Sequence, residues 1–310
     1  MSLLLKLVRP VRSLLLGAVR LEARLLGLKG TDRIARLLYD PYRRQKDYLE
    51  LILPYGDSII RVDTRSFIEW TIYVHDGYEI GAVKLLRSLV HPGSIILDVG
   101  ANIGTFTLPL SRAAGPTGGV HAFEPHPVLR ERLTMNIALN NLRNVTVCDV
   151  ALGSKQGEEM LYGSTTANQG MASLRQQPGV ETPIPCYVET IDNYVAKFKL
   201  PRVDLIKIDA QGADFSVLEG AKSTLVMHKP SLYFEVAPYD LSLFGSKPEE
   251  IYDLLHSIGY EIWRNKTVER GRTKLVPVKN GSTKSILESW FAVHPGIANR
   301  LKQPKNSEDR

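Results

Sequence analysis

The chain has 310 residues, of which 44% are hydrophobic and 23% are charged, and its formal net charge is +6. These are ordinary values for a globular protein with one large apolar core, and they exclude a small fold that depends on disulfides or structural metals. The two cysteines, Cys148 and Cys186, lack C-x-x-C spacing. We therefore expect buried thiols in a reducing compartment rather than a disulfide or a zinc site.

The first 36 residues are basic and rich in leucine. A helical wheel places five basic side chains within one third of the circumference, opposite Leu and Val: Lys6, Arg9, Arg12, Arg20 and Arg24. This pattern predicts a basic amphipathic helix that begins near Pro10, within an extension over residues 1–58. Its leucine face either packs against protein, on the main domain or between the subunits of a homodimer, or contacts an anionic membrane surface.

The longest uncharged run of the extension, Ser13 to Val19, is too short to span a bilayer, and no signal-peptide cleavage site closes it. A cytoplasmic protein is expected, either free or in peripheral contact with the inner membrane surface. The positive charge does not favour a nucleic-acid partner. It lies mostly in the extension and in residues 266–284, without an RNA-binding motif or interleaved aromatic residues.

The main domain is expected over residues 59–297, followed by a polar tail at 298–310. Its first predicted elements are a pair of strands, Ile59 to Val62 and Ile68 to Val74. A helix from Ile80 to Val90 follows and ends at His91-Pro92-Gly93.

Residues 94–112 (SIILDVGANIGTFTLPLSR) predict a buried strand joined to a helix through a glycine loop. Asp98 ends the strand, and Gly100 and Gly104 allow the backbone to turn close to a ligand that meets the free amides of the helix. The spacing G-A-N-I-G differs from the G-x-G-x-x-G of dinucleotide-binding folds. A nucleoside with an amino-acid tail is therefore favoured over NAD, and a nicotinamide-dependent oxidoreductase is the alternative.

The next strand, Gly119 to Phe123, places Glu124 at its end, 20 residues after Gly104. An ionised glutamate only accepts hydrogen bonds, so Glu124 is predicted to bind both hydroxyls of a ribose. A helix that starts at Pro125 or Pro127 follows. The third strand, Asn144 to Val150, carries Asp149 near its end, either as an adenine contact or as a solvated strand terminus.

Two further core strands are predicted, Leu205 to Ile208 and Leu232 to Val236, with Asp209 and Glu235 at or near their ends. Asp214 is expected to cap a single helix between them, with a buried stripe of Val217, Leu218, Ala221 and Leu225. Ligands of open α/β sheets bind outside the carboxyl ends of the strands. Five acids are therefore expected on one rim: Asp98, Glu124, Asp149, Asp209 and Glu235. The remaining predicted elements are strands at 159–162, 260–263 and 290–293, a polar loop at 163–170 and a helix at 248–258.

Four motifs in order, DVGANIGTF, FEP, ALG at Ala151 to Gly153, and VDLIKIDAQGADFSVLEGA at Val203 to Ala221, resemble the FkbM family of S-adenosylmethionine-dependent methyltransferases. The resemblance covers about residues 78–238. It implies the class I methyltransferase fold, a Rossmann-like α/β fold with a mostly parallel seven-stranded sheet and helices on both faces. It also implies S-adenosyl-L-methionine as cofactor and O-methylation of a hydroxyl of a glycan, glycolipid or secondary metabolite.

The chain departs from the family at Gln211, where the usual pattern reads Asp-x-Glu-Gly. Gln211 keeps the capacity to form hydrogen bonds but carries no charge, so it is not expected to act as a base or metal ligand. For the same reason a Mg²⁺ site at Asp209 and Asp214 is not expected.

The expected cofactor contacts are Glu79, Asp98, Gly100, Ala101, Asn102, Gly104, Thr105, Phe106, Glu124, Pro125, Asp149, Ala151 and Asp209. The resemblance implies that Tyr78 and Glu79 close over the methionine end of the cofactor, and helix capping is the alternative role of Glu79.

An alcohol needs to lose its proton to become a good nucleophile, so a general base is expected. Asp209 is the first candidate for this base or for orienting the acceptor, with a contact to the amino group of the cofactor as the alternative. Glu235, His75 and His126 are weaker candidates. A membrane-associated binding protein with a degenerate fold is a further alternative, which the intact DVGANIG and FEP motifs disfavour.

Overall fold

The computed structural model describes residues 18, 19, 21, 34, 49–163, 172–176, 182–268, 272–281, 283 and 287–302. The predicted basic helix lies outside the described residues except for Ala18, Val19, Leu21 and Ile34, which are helical. The predicted polar loop at 163–170 and the polar tail also lie largely outside them. In the described part of the chain, no helix is long and apolar enough to cross a membrane.

The strands, in chain order, are β1 (Glu50–Tyr55), β2 (Ser58–Asp63), β3 (Ile95–Val99), β4 (Gly119–Phe123), β5 (Val145–Cys148), β6 (Val150–Leu152), β7 (Gly157–Gly163), β8 (Thr182–Glu189), β9 (Leu205–Ile208), β10 (Ser231–Val236), β11 (Glu261–Val268), β12 (Arg272–Pro277) and β13 (Glu288–Val293). The helices are α1 (Phe67–His75), α2 (Ile80–Arg87), α3 (Thr107–Ala114), α4 (Pro127–Leu139), α5 (Ile191–Lys197), α6 (Asp214–Glu219), α7 (Lys222–His228), α8 (Pro238–Leu243), α9 (Pro248–Ser257) and α10 (Pro295–Lys302).

The central sheet has the strand order β12-β11-β13-β10-β9-β3-β4-β5. The five strands from β10 to β5 are parallel, and β13 pairs antiparallel with both β10 and β11. The mostly parallel α/β sheet expected from the sequence is confirmed, and the part of the chain that the structure describes contributes eight strands to it instead of seven. The additional strand arises because β11 continues to Val268 and the chain returns as β12, antiparallel to it.

Two apolar layers cover the faces of this sheet, as expected for strands buried on both sides. One layer contains Phe123, Phe234 and Trp290 together with the buried stripe of α6 and α7. The other contains Phe106 and Phe291 together with apolar side chains of α2, α3 and α10. Adjacent residues of β13, Trp290 and Phe291, are both fully buried because they point to opposite faces.

The prediction of a strand at Ile68 to Val74 is wrong, since these residues form most of helix α1. The alternating β-branched and aromatic residues favoured a strand, but the partner of β2 is β1, which precedes it. Tertiary contacts explain the helix. The buried carboxylate of Glu69 accepts the backbone N–H of Asp63 and pairs with Arg132 of α4, which binds α1 to its neighbours.

Two other predicted elements are divided in the structure. The strand predicted at Asn144 to Val150 becomes β5, in the central sheet, and β6, which joins β8 and β7 in a separate three-stranded sheet. The single helix predicted after Asp214 becomes α6 and α7. The chain turns between them at Gly220, where an added Cβ would lie 2.0 Å from the carbonyl oxygen of Gly153.

Asp214 does not cap α6 from outside, because Ala213 occupies the N-cap and Asp214 is the first helical residue. Its carboxylate instead accepts the backbone N–H groups of Ala210 and Gly212 in the preceding loop.

Candidate active site

The carboxyl ends of β10, β9, β3 and β4 lie side by side in the sheet. The ends of β3, β4 and β9 open into a cleft. Its polar lining includes the glycine loop, Glu124 and Asp209. Its apolar lining comes from Val99, Phe123, Leu129, Val150, Ala151, Leu152, Leu161, Ala172 and Leu174. A cleft with an apolar wall and a few polar groups is the usual form of a site for a nucleoside-sized ligand.

Close packing of two backbone segments explains why the loop has glycine at position 100. Gly100 has a φ of +69°, and an added Cβ would lie 2.0 Å from the carbonyl oxygen of Asp209 at the end of β9. The backbone N–H groups of Gly100 and Ala101 both donate to the carbonyl of Phe123, at 3.0 Å. Asn102 also takes a left-handed conformation, with a φ of +52°. A side chain at position 100 would force β9 away from β3, so the motif requires glycine there.

Glu124 is buried at the floor of the cleft, with 4% of its surface exposed. Its two carboxylate oxygens accept the backbone N–H groups of Asn102, at 2.8 Å, and of His126, at 2.9 Å. Burial raises the pKa of Glu124 to about 7, although both hydrogen bonds oppose that shift. Each oxygen has a further lone pair, so the carboxylate can hold the loop and still accept from two ligand hydroxyls.

Asp98 lies beneath the glycine loop and is fully buried. Its Oδ2 accepts the hydroxyl of Thr107 at 2.6 Å, and its Oδ1 lies 3.5 Å from the Nζ of Lys207. Burial raises the pKa of Asp98, and the charge of Lys207 opposes that change. Asp98 does not line the cleft, so the structure places it as a support for the loop.

Lys207 is the residue that the sequence analysis did not identify. It lies in β9, between the buried Ile206 and Ile208, and its side chain is only 4% exposed. Lysine is rarely buried unless it is paired, so a lysine inside a four-residue apolar strand was the available signal.

Asp209 lies at the exit of β9 and lines the cleft with a side chain that is 35% exposed. Its Oδ1 accepts the side-chain N–H of Gln211 at 2.6 Å, and its Oδ2 lies 3.8 Å from the Nζ of Lys207. An acid in this position can both contact solvent and approach a ligand.

Glu79 and Glu235 stand near Asp209. The hydroxyl of Tyr233 donates to Glu79 at 3.1 Å, and Glu79 has a left-handed φ of +45°. Burial of the carboxylate raises the pKa of Glu79, and the negative charge of Asp209 raises it further. The residue as a whole still has an exposed surface. Burial, followed by the charges of Asp209 and Asp214, raises the pKa of Glu235 to about 9.

The remaining predicted site residues take several positions. Pro125 lines the cleft, whereas Ala101, Gly104, Thr105 and Phe106 are buried in or below the loop. Asp149 is exposed and does not line the cleft, where Val150 and Ala151 take that place. Of the five acids predicted on one rim, Glu124 and Asp209 line the cleft, whereas Asp98, Asp149 and Glu235 do not.

The two candidate histidines lie outside the cleft lining. His75 is half-buried in the last turn of α1. His126 is fully buried, and neither ring nitrogen has a hydrogen-bond partner among the described residues. Burial, with a smaller effect of Arg130, lowers the pKa of His126. Within the described residues, no group of three His, Cys, Asp or Glu side chains has the arrangement of a metal site.

The residues that line the cleft lie in a segment that matches a known protein family. The model of the methyltransferase FkbM domain matches residues 98–262, more than half of the chain. The chain belongs to the FkbM methyltransferase family. This match confirms the predicted family and identifies residues 98–262 as a methyltransferase domain.

Two curated proteins are similar in sequence to this chain. The antimetabolite synthetase AmbE of Pseudomonas aeruginosa is 25% identical over 83% of this chain and 14% of AmbE. Methyltransferase 1 of Beauveria bassiana is 31% identical over 50% of this chain and 66% of that protein. The chain thus spans about a seventh of the first relative and about two thirds of the second.

Solved structures of methyltransferases are similar at low identity. The methyltransferase FkbM of Methylobacillus flagellatus is 15% identical, with a TM-score of 0.41, over 72% of this chain and 52% of that chain. TYW2 of M. jannaschii, in complex with AdoMet, is 17% identical, with a TM-score of 0.41, over 79% of this chain and 86% of that chain.

Proposed function

We propose that this protein transfers a methyl group from S-adenosylmethionine to a hydroxyl of a glycan, a glycolipid or a secondary metabolite. The names of three relatives support this acceptor class: the 2-O-methyltransferase NoeI of Sinorhizobium fredii, the hexuronic acid methyltransferase AglP of Haloferax volcanii and the 31-O-demethyl-FK506 methyltransferase FkbM of Streptomyces tacrolimicus. They are 26%, 29% and 26% identical to this chain, respectively.

The described cleft fits this cofactor. Glu124 offers acceptor lone pairs for ribose hydroxyls, and Val150 and Ala151 belong to an apolar wall that suits a base. The close approach of Gly100 to β9 leaves no side chain between the loop and a ligand. Asp209 also lines the cleft, and an ionised carboxylate there would favour the positive charge of an ammonium or sulfonium group.

The observation that carries the proposal is the half-exposed carboxylate of Asp209 beside the glycine loop. When bound, S-adenosylmethionine would supply an electrophilic methyl group to the acceptor oxygen and would leave as S-adenosylhomocysteine. Asp209 takes the proton of the acceptor hydroxyl in this step. Alignment of the reacting atoms can contribute about 7–11 kcal/mol, and a general base contributes about 10²–10⁴-fold.

Asp209 is preferred to Glu235 for this role. Glu235, whose pKa is raised to about 9, holds a proton at neutral pH and is then unable to accept another. Asp209 lines the cleft, where Glu235 does not, and its carboxylate lies beside a cation and an amide donor.

Calorimetry tests the proposed function directly. We expect S-adenosylhomocysteine to bind the folded protein with a micromolar dissociation constant and NAD not to bind. Absence of S-adenosylhomocysteine binding to well-folded protein would refute the proposal. Binding without transfer of a labelled methyl group to any of a broad set of hydroxyl acceptors would instead favour a binding protein.

We further propose that the basic N-terminal segment contacts an anionic membrane surface. The support is its sequence, because each Lys or Arg near such a surface contributes about 1 kcal/mol, and salt screens the attraction. Val19 packs against Trp70 and Val74 of α1, which favours the alternative that the leucine face packs on protein. Leu21 is 56% exposed, so this residue is not covered by the described part of the chain.

Liposome sedimentation distinguishes these two roles. The full chain is expected to sediment with acidic liposomes at low salt, and a chain that starts at Asp40 is not. A full-length Arg20→Glu/Arg24→Glu variant should also lose sedimentation if charge is responsible. A shortened chain that becomes insoluble or loses a dimer would favour packing of the leucine face on protein. Equal sedimentation of all three proteins would contradict membrane binding by this segment.

A further inference from the structure

Strands β7 and β8 present an outer face to solvent, on the side of the small sheet opposite Leu161, which lines the cleft. Exposed and covered side chains alternate along β8, as the pleat of a strand requires. The register of the two strands places six side chains on this outer face: Glu158, Met160, Tyr162, Pro183, Pro185 and Tyr187. The face extends for about 14 Å along each strand, from the rise per residue of an antiparallel sheet.

A groove of about 450 Å³ follows the outer face at the edge of β7. One wall comes from β7 and Pro185, and the other comes from residues 174–176. Its polar lining includes the exposed carboxylates of Glu158 and Glu159 and the amide of Gln176. A groove of this volume can hold a ligand of several rings.

The groove adjoins the cleft at Leu174, whose side chain belongs to the lining of both. The preceding residue, Ser173, pairs with Tyr162 of β7 through two backbone hydrogen bonds, at 2.7 and 2.8 Å. The hydroxyl of Ser173 also donates to the carbonyl oxygen of Gln211 at 3.0 Å, and the side chain of Gln211 contacts Asp209. A ligand in the groove therefore lies beside the part of the cleft where the proposed base stands.

The outer face and the groove match the two kinds of surface that a sugar ring carries. Sugar hydroxyls donate hydrogen bonds, and ionised carboxylates only accept them, so Glu158 and Glu159 suit the hydroxyl groups. The C–H faces of the ring are apolar, and the exposed ring of Tyr187 offers a flat apolar surface with a polar hydroxyl at its edge. Met160 and Pro185, which lie opposite each other in the register, extend this apolar surface.

Two other occupants fit less well. The acids Glu158 and Glu159 would repel an anionic membrane surface. A stable protein partner buries about 800 Å² on each side, whereas the outer face is two strands wide and about 14 Å long.

We propose that the outer face of β7 and β8 and its groove bind the sugar chain of a glycan acceptor, while the sugar to be methylated extends past Leu174 into the cleft. This inference rests on the proposed function and selects carbohydrate from its acceptor classes. The chain is held by stacking on Tyr187 and Met160 and by hydrogen bonds from its hydroxyls to the groove carboxylates.

Oligosaccharide binding tests the inference without methyl transfer. Saturation-transfer-difference NMR on the full chain with S-adenosylhomocysteine measures the affinity for cellotetraose, chitotetraose, maltotetraose and mannotetraose, and for the corresponding disaccharides. We expect at least one tetrasaccharide to bind, and to bind more tightly than its disaccharide, because the longer chain covers more of the outer face.

Variants of exposed residues locate the bound sugar. Tyr187→Ala should weaken binding of that tetrasaccharide by about two- to tenfold, and Met160→Ala/Tyr187→Ala should weaken it further. Both side chains are exposed, so the melting temperature and the affinity for S-adenosylhomocysteine should stay at the wild-type values. Val226→Ala/Met227→Ala, which removes two exposed apolar side chains of α7, is the matched control and should bind the tetrasaccharide as the wild type does.

Three results would overturn the inference. The first is that no tetrasaccharide binds to folded protein that does bind S-adenosylhomocysteine. The second is equal tetrasaccharide binding by the wild type and Met160→Ala/Tyr187→Ala, which would place the sugar elsewhere. The third is a loss of liposome sedimentation in that double variant, which would assign the outer face to a membrane. Methylation of a sugar-free acceptor together with the first result would leave the proposed function intact, so the two failures are distinguishable.

Discussion

Replacing Glu124 by alanine is expected to weaken S-adenosylhomocysteine binding by about 1.5–3 kcal/mol, or roughly 10- to 150-fold. The carboxylate of Glu124 accepts the backbone N–H groups of both Asn102 and His126 at the cleft floor. Its loss removes the ribose acceptor and also leaves those amides without their partner. Calorimetry measures the change. Glu131→Ala, an exposed acid on α4, is the matched control and should leave the affinity unchanged.

The binding should also depend on pH through Glu124. In the free protein burial raises the pKa of this carboxyl to about 7, and ribose hydroxyls need the ionised form as acceptor. Affinity should therefore fall as pH decreases through 7, by about tenfold between pH 8 and pH 6. Glu124→Gln, which does not titrate, should flatten this profile. An equally steep profile in Glu124→Gln would assign the titration to another acid and contradict the role of Glu124.

Replacing Asp209 by asparagine is expected to reduce turnover by at least tenfold while the protein remains folded. A general base contributes about 10²–10⁴ to such a reaction, and asparagine is unable to take the proton. The fold should tolerate the change because the side chain is 35% exposed and the isosteric amide retains an acceptor for Gln211. Turnover is measured as transfer of a labelled methyl group to an acceptor found by screening glycans and secondary metabolites.

The kinetic pattern of Asp209→Asn decides between the roles considered for this residue. A lower kcat with an unchanged dissociation constant for S-adenosylhomocysteine supports a base or an acceptor-orienting group. A loss limited to cofactor affinity would assign Asp209 to the amino group of the cofactor. Unchanged kinetics would remove it from the site. Asp240→Asn, in the neighbouring helix α8, serves as the control for a nearby change of charge.

The sequence alone determined the elements that build the cleft. β3, β4, β9 and β10 were each predicted within one or two residues, because a short apolar run followed by a polar residue or a breaker specifies a buried parallel strand locally. Gly100 was likewise predictable, since its positive φ belongs to a tight turn of known spacing. The family motifs overlap these same segments, which is why the fold and the cofactor could be predicted together.

Elements whose form depends on distant partners were not predictable. The residues of α1 alternate as a strand would, and the choice of a helix depends on Arg132, which lies 63 residues away along the chain from Glu69. The break between α6 and α7 depends on the carbonyl of Gly153. The placement of Asp149 outside the cleft depends on the division of one apolar run between two sheets.

Only the tertiary structure decided the electrostatics of the site. The sequence placed Asp98, Glu124, Asp209 and Glu235 on one rim, but it carried no information on which of them is buried. Their protonation depends on burial and on charges brought from other strands, as with Lys207, whose contact with Gly100 joins residues 107 apart in the chain. Local sequence patterns therefore determined which acids lie at strand ends, because the end of a strand depends on neighbouring residues in the sequence. Long-range packing fixed what each acid can do, because a pKa depends on all the groups that surround it.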